Sequence, residues 1–255
     1  MGGVFLTGHG QTESHNNLGI LGIEILRAFQ ESTECPICHL KHESALRYTN
    51  WTLHEYVNSP SFLGPFLQSV GLCQEHWGMF LAQGDLLGTS ILTEAMLSQA
   101  IVQVDDSVEK LSGFGSRIPK RLRWARAFSW TTSLRPCHVC ELEADAEHRY
   151  VWGVAKLCAE KAIDAACVGR ILCFKHLIMV VREATPRDAS EMLSVFRHKL
   201  EDLRENCRQI IGSFDYKFKG QKPDTAPLRE AIRDVSLPGP GGQLPFLSRP
   251  IVLRR

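Results

Sequence analysis

The chain has 255 residues, 44% hydrophobic and 22% charged, which is ordinary globular usage and excludes fibrous, disordered and membrane-embedded classes. With 29 Lys and Arg against 28 Asp and Glu the formal net charge is +1, so no global excess of either sign recruits nucleic acid or a cationic partner. Nine cysteines in a chain this long do not make a small disulfide scaffold, and their spacing must decide their use.

Residues 1–16 read as a flexible start. They lack the basic residues and long apolar run of a secretory signal, which predicts a cytoplasmic protein. Leu18, Leu21, Ile25 and Ala28 then form the apolar stripe of a short helix. After Cys38 a helix is predicted through Arg47 and Tyr48 to about Val57. Ser59-Pro60 gives an N-cap with proline in the first turn, opening a short helix that stops near Gly71. Cys73 opens another, ending near Gly84. The apolar stretch from Leu86 to Val104 contains Glu94 and Gln99 and reads as a buried amphipathic helix, not a membrane span.

Leu97, Ile101, Val104, Val108 and Leu111 step by four and three residues, as one buried face requires. Residues 116–135 follow as a basic connector, with Arg117, Lys120, Arg121, Arg123, Arg126 and Arg135, no acidic residue, and Trp124 and Trp130 interleaved. Such a run suits either a solvated link with buried tryptophans or a groove for nucleic acid through 117–135. Thr185-Pro186-Arg-Asp188 starts a second long helix with a cap, a first-turn proline and a carboxylate at the positive end. Its stripe, Phe196, Leu200, Leu203, Cys207 and Ile210, repeats the first stripe at a displacement of 99 residues. From residue 220 to 255 prolines and glycines dominate and read as a tail.

The chemistry lies in a duplication. Cys35-x-x-Cys38 with Cys73-x-x-His76 recurs as Cys137-x-x-Cys140 with Cys173-x-x-His176, and the intervals from first to third cysteine are 38 and 36 residues. Arg47-Tyr48 and Arg149-Tyr150 recur at one offset from the second cysteine and are read as bracing the metal knuckles. Matched context of this length marks an internal repeat. It divides the chain into a first helical metal-binding unit, 17–115, and a second, 136–219. Strand signals are scarce, so the predicted fold is all-α: two homologous helical units, each organised around a CxxC...CxxH metal site, forming a pseudo-twofold bundle.

Three thiols and one imidazole close a tetrahedral zinc site, which predicts two Zn2+ per chain. A Cys-x-x-Cys turn directs two thiolates to one ion, and Cys and His three apart share a helix face. At a helix start the amide dipoles favour thiolate over thiol. The spacing does not exclude exchange of ligands between the units, with Cys35 and Cys38 meeting Cys173 and His176. An iron-sulfur cluster is the alternative cofactor. Cys35-Pro-Ile-Cys38-His39 has the form of a haem attachment site, but the second copy has Glu141 where His39 stands.

Together, Cys35-Pro-Ile-Cys38, the helix ending in Arg47-Tyr48 and Gly71-Leu-Cys73-x-x-His76 resemble the motifs of an uncharacterised family of prokaryotic cytoplasmic helical proteins of unknown function. The resemblance spans about residues 33–215 and implies a helical metal-binding protein without supplying a reaction. The second copy departs from the pattern, with His138 where the first has Pro36.

Phosphate-cradling glycine loops, nucleophile elbows and His-Glu-x-x-His are all missing. The expected function is therefore a non-enzymatic binding or adaptor protein with a protein partner or a second copy of itself. A redox or metal-transfer protein is the alternative.

Overall fold

A computed structural model describes residues 18–57, 59, 63–64, 66–67, 72–113, 120–129, 137–213 and 226–235. No strand occurs among them. The helices are α1 (Gly19–Glu31), α2 (Pro36–Trp51) running into a π-helical stretch (Thr52–Tyr56), α3 (Gln74–Ala82), α4 (Leu86–Gly113) and α5 (Lys120–Ala127). They continue with α6 (His138–Ala159), α7 (Ala165–Ile171), α8 (Phe174–Glu183), α9 (Pro186–Ser213) and α10 (Ala226–Val235). The N-terminal segment 1–16 and most of the 220–255 tail lie outside the described residues, as do 116–119 and 130–135 of the connector and most of the predicted helix from Ser59 to Gly71.

Local chemistry sets the boundaries. The Thr49 and Thr52 hydroxyls donate to the carbonyls of Leu46 (2.9 Å) and Tyr48 (2.8 Å), and the helix widens to π geometry at Thr52. Beyond α3, Gly84 takes φ +76°, the left-handed conformation that glycine adopts without strain. The predicted cap of α9 forms: Thr185 Oγ1 accepts from the Asp188 amide at 3.3 Å and donates to the Asp188 carboxylate at 2.7 Å.

The chain divides into two compact units that do not follow the repeat boundaries of 17–115 and 136–219. One is continuous, His42–Asp145; the other is discontinuous, joining the segment up to Lys41 with the segment from Ala146 onward. The division falls within α2 and within α6. The cause is visible in the apolar residues beside the cysteines. Ile37 and Leu40 are buried in one cluster with Ile25, Leu157, Leu172 and Leu177, whereas Val139 is buried with Leu72, Met79 and Phe80. Burial of apolar area is the dominant favourable term in folding, and it assigns the two motifs to opposite units.

The two long stripes differ. Phe196 and Leu203 on α9 are 3% and 6% exposed, while Leu97, Ile101, Val104 and Val108 on α4 are 54 to 59% exposed. Helix α9 is flanked by α7, α8 and α10. Helix α4 packs on α3, the π-helical stretch and α5 through another side, where Thr89, Leu92 and Ser107 are buried. The Ser107 hydroxyl reaches the Ala127 carbonyl at 2.9 Å and pins α5 there.

Close approach of α7 and α9 depends on Gly169. A Cβ there would lie 2.4 Å from the Met192 carbonyl oxygen and 2.9 Å from its Cα. Backbone cannot swing aside, so Gly169→Ala should cost about 2 kcal/mol, read as a lower urea midpoint with unchanged slope. Gly153→Ala should cost less, because the atoms its Cβ would meet are side-chain ends, Ile25 Cδ1 at 2.5 Å and Leu21 Cδ2 at 3.4 Å.

Candidate metal centres

All four ligand pairs use one local device. Each first cysteine stands immediately before a helix: Cys35 before α2, Cys73 before α3, Cys137 before α6 and Cys173 before α8. Their carbonyls accept the first helical bonds, from His39, Trp77, Glu141 and Leu177, at 2.9 to 3.1 Å. The second ligand of each pair is the third residue of that helix, so both side chains gather over a helix N-terminus. The free amides and the positive end of the dipole there favour sulfur as thiolate.

The pairs then assemble across the repeat. Cys35, Cys38, Cys173 and His176 form one group and Cys73, His76, Cys137 and Cys140 the other, the donor atoms of each lying within 4.8 Å of one another. Quartets drawn from a single copy, Cys35 and Cys38 with Cys73 and His76, are therefore corrected to the exchanged sets. The reason is the partition of the core, which places the α2 and α8 starts in the discontinuous unit and the α3 and α6 starts in the continuous one. Each unit still holds one Cys3His group.

In the discontinuous unit, His176 Nδ1 stands 3.3 Å from Cys35 Sγ, 3.2 Å from Cys38 Sγ and 3.2 Å from Cys173 Sγ. Cys38 and Cys173 sulfurs are 3.9 Å apart, far from disulfide length. The other imidazole nitrogen, Nε2, meets Glu147 Oε1 at 2.8 Å, and Lys175 Nζ holds the same oxygen at 2.6 Å. Burial works against the Glu147 carboxylate, but His176 and Lys175 outweigh it and bring its pKa down to about 2. His176 is raised to about 11: burial disfavours its charge, and Cys173, Cys35 and Glu147 prevail. Hydrogen bonds from Cys35 and Cys38 hold Cys173 far below the thiol range, while the bonds Cys38 makes to Cys173 and Cys35 push its own thiol far above it. Negative charge and a proton thus occupy a hollow suited to a cation.

The continuous unit repeats the arrangement. His76 Nδ1 lies 3.1 Å from Cys73 Sγ and 3.4 Å from both Cys137 Sγ and Cys140 Sγ, with Cys73 and Cys140 sulfurs 3.8 Å apart. His76 Nε2 faces Glu143 Oε1 at 3.5 Å. Burial opposes ionisation of Cys137, but His76 and the backbone amides of Cys73 and Cys140 bring it down to about 6. His138 fills the place of Pro36 in the repeat and sits edge-on to Tyr48 (5.5 Å) and Phe66 (5.9 Å).

Among the residues read as braces, Arg47 and Arg149 are exposed. Arg47 reaches the Ser44 hydroxyl at 3.5 Å, Tyr48 packs on His138, and Tyr150 is buried with its hydroxyl 3.1 Å from Glu24. The side chains that contact the imidazoles are Glu143 and Glu147, one turn apart on α6, which the sequence reading missed. A search for features shared by the repeats passes over them, because the equivalent residues of the first copy are Lys41 and Ala45. Their signal is the helical offset of three and seven residues from Cys140.

No helix among the described residues is long and apolar enough to cross a membrane. A family model described as a family of unknown function (DUF6062) matches residues 17–233. No curated protein and no solved structure matches the chain.

Proposed function

The chain belongs to that family of unknown function, which hands down no reaction, and from the two sites themselves we propose a non-enzymatic binding protein held together by two structural zinc ions. The observation that carries this is the spacing of the donors. A tetrahedral ion with zinc-ligand distances of about 2.0–2.3 Å sets sulfurs about 3.8 Å apart and sulfur and nitrogen about 3.5 Å apart. Cys73 and Cys140 sulfurs are 3.8 Å apart, Cys38 and Cys173 sulfurs 3.9 Å, and the sulfur-to-nitrogen distances run from 3.1 to 3.4 Å. Four protein ligands leave such an ion no open position for substrate, which favours a structural role.

The binding role has its support on α4. Its exposed stripe is the kind of contiguous apolar surface that marks an interaction site. Helix α5 packs on α4 and presents Arg121, Arg126, Leu122 and Trp124 to solvent. The partner these features suit is a protein segment with an apolar stripe flanked by acidic side chains. Nucleic acid at 117–135 is the weaker reading, since Trp124 already stacks face to face on Phe128 at 5.4 Å. A second copy of the chain is a competing occupant, which mass in solution distinguishes.

An iron-sulfur cluster spreads its ligands over several irons, wider than groups held within 4.8 Å. Metal analysis with an absorption spectrum tests the choice. The expected result is colourless protein with two zinc ions per chain; visible absorption that bleaches on reduction would replace zinc by a cluster.

A further inference from the structure

The two quartets share ligand types but not surroundings. In the discontinuous unit Cys35 and Cys173 are each 5% exposed and buried in the larger apolar cluster, His176 is 1% exposed, and Cys38 alone is partly buried. In the continuous unit Cys73, Cys137 and Cys140 are all only partly buried, and His76 alone is sealed. The outer contacts differ in the same direction. Glu147 grips His176 at 2.8 Å, whereas Glu143 stands 3.5 Å from His76.

We infer that the continuous unit's site, Cys73, His76, Cys137 and Cys140, exchanges its ion with outside ligands while the Cys35, Cys38, Cys173 and His176 site retains its own. This rests on the reading that both groups hold an ion. Ion transfer to a competing ligand needs that ligand to reach the metal before a protein ligand leaves. Three partly exposed sulfurs open the approach in the continuous unit, where the other site has one, Cys38, and buries the rest. The imidazole is the neutral ligand and the one whose departure separates least charge. A carboxylate on its far nitrogen raises its basicity and fixes its orientation, an effect worth about 10–100-fold in metal affinity. Site and surface are connected within one unit, because α3, which bears His76, packs on α4 with its exposed stripe. Loss of the exchangeable ion thereby loosens the support of the interaction face, and the acceptors that fit the exchange are small thiols or the thiol-rich site of another protein.

The test uses full-length zinc-loaded protein mixed with excess 4-(2-pyridylazo)resorcinol. Release should be biphasic, one ion per phase, with rates separated by about tenfold or more. Iodoacetamide added after the fast phase and read by peptide mass should mark Cys73, Cys137 and Cys140 and spare Cys35, Cys38 and Cys173. Glu147→Gln should accelerate the slow phase about tenfold, and Glu143→Gln should leave the fast phase within about twofold. A single phase releasing both ions, or labelling that begins at Cys35 and Cys173, would overturn the inference and leave the two-ion reading standing. Protein that carries no ion before chelator is added would overturn the two-ion reading itself. The labelling pattern of the unsubstituted chain decides the matter even where a variant fails to fold.

Discussion

Chains carrying Cys73→Ser, Cys140→Ser or both substitutions should each keep one zinc ion, whereas Cys73→Ser combined with Cys38→Ser should leave none. Cys73 and Cys140 share one donor group, so removing the second after the first takes nothing more away. Cys38 serves the other group, so its loss adds to the first. Sites confined to single copies predict the reverse: Cys73 and Cys38 would then be redundant, and Cys73 and Cys140 would each remove an ion. Stability should follow the metal. A structural zinc site contributes about 10 kcal/mol or more of apparent folding free energy, so loss of one ion should unfold its unit or lower its melting temperature sharply. Cys158→Ser serves as control and should retain both ions. Cys158 lies outside both groups, buried in the apolar cluster, and that burial pushes its thiol up to about 12. Metal content and differential scanning calorimetry of the variants measure both effects.

The donors were legible because their chemistry and their local geometry coincide. A cysteine before a helix and a ligand on its third residue is a device written in four consecutive positions, and Cys35, Cys73, Cys137 and Cys173 all use it. Their pairing was not legible, for a physical reason. Two copies with the same ligand types present each CxxC motif with two equally suitable CxxH partners, and the choice falls to Ile37, Leu40 and Val139, whose destinations depend on the folded core. Glu143 and Glu147 were hidden differently. Only the second copy carries them, so repeat symmetry directs attention to Arg47 and Arg149, which the fold leaves exposed. The all-helical class, the cap at Thr185 and the stop at Gly84 were readable because each depends on near neighbours in sequence.

Leu203→Ala should cost about 3 kcal/mol while Val104→Ala costs less than about 0.5 kcal/mol, although the two positions are equivalent in the repeat. Leu203 is 6% exposed and its helix is covered by α7, α8 and α10, so truncation leaves a cavity that the neighbours only partly fill. Val104 is 54% exposed, and water already occupies most of the space around it. Periodicity reports that one face of a helix is apolar; it carries no information about whether a neighbour in the same chain covers that face. On α9 the chain supplies its own cover, whereas the α4 stripe remains open to water and available to another molecule. Urea unfolding of the two variants measures the difference. Equal losses in protein whose mass in solution is that of one chain would mean that α4 is covered within the chain, and the reading of its stripe as an interaction face would then fail.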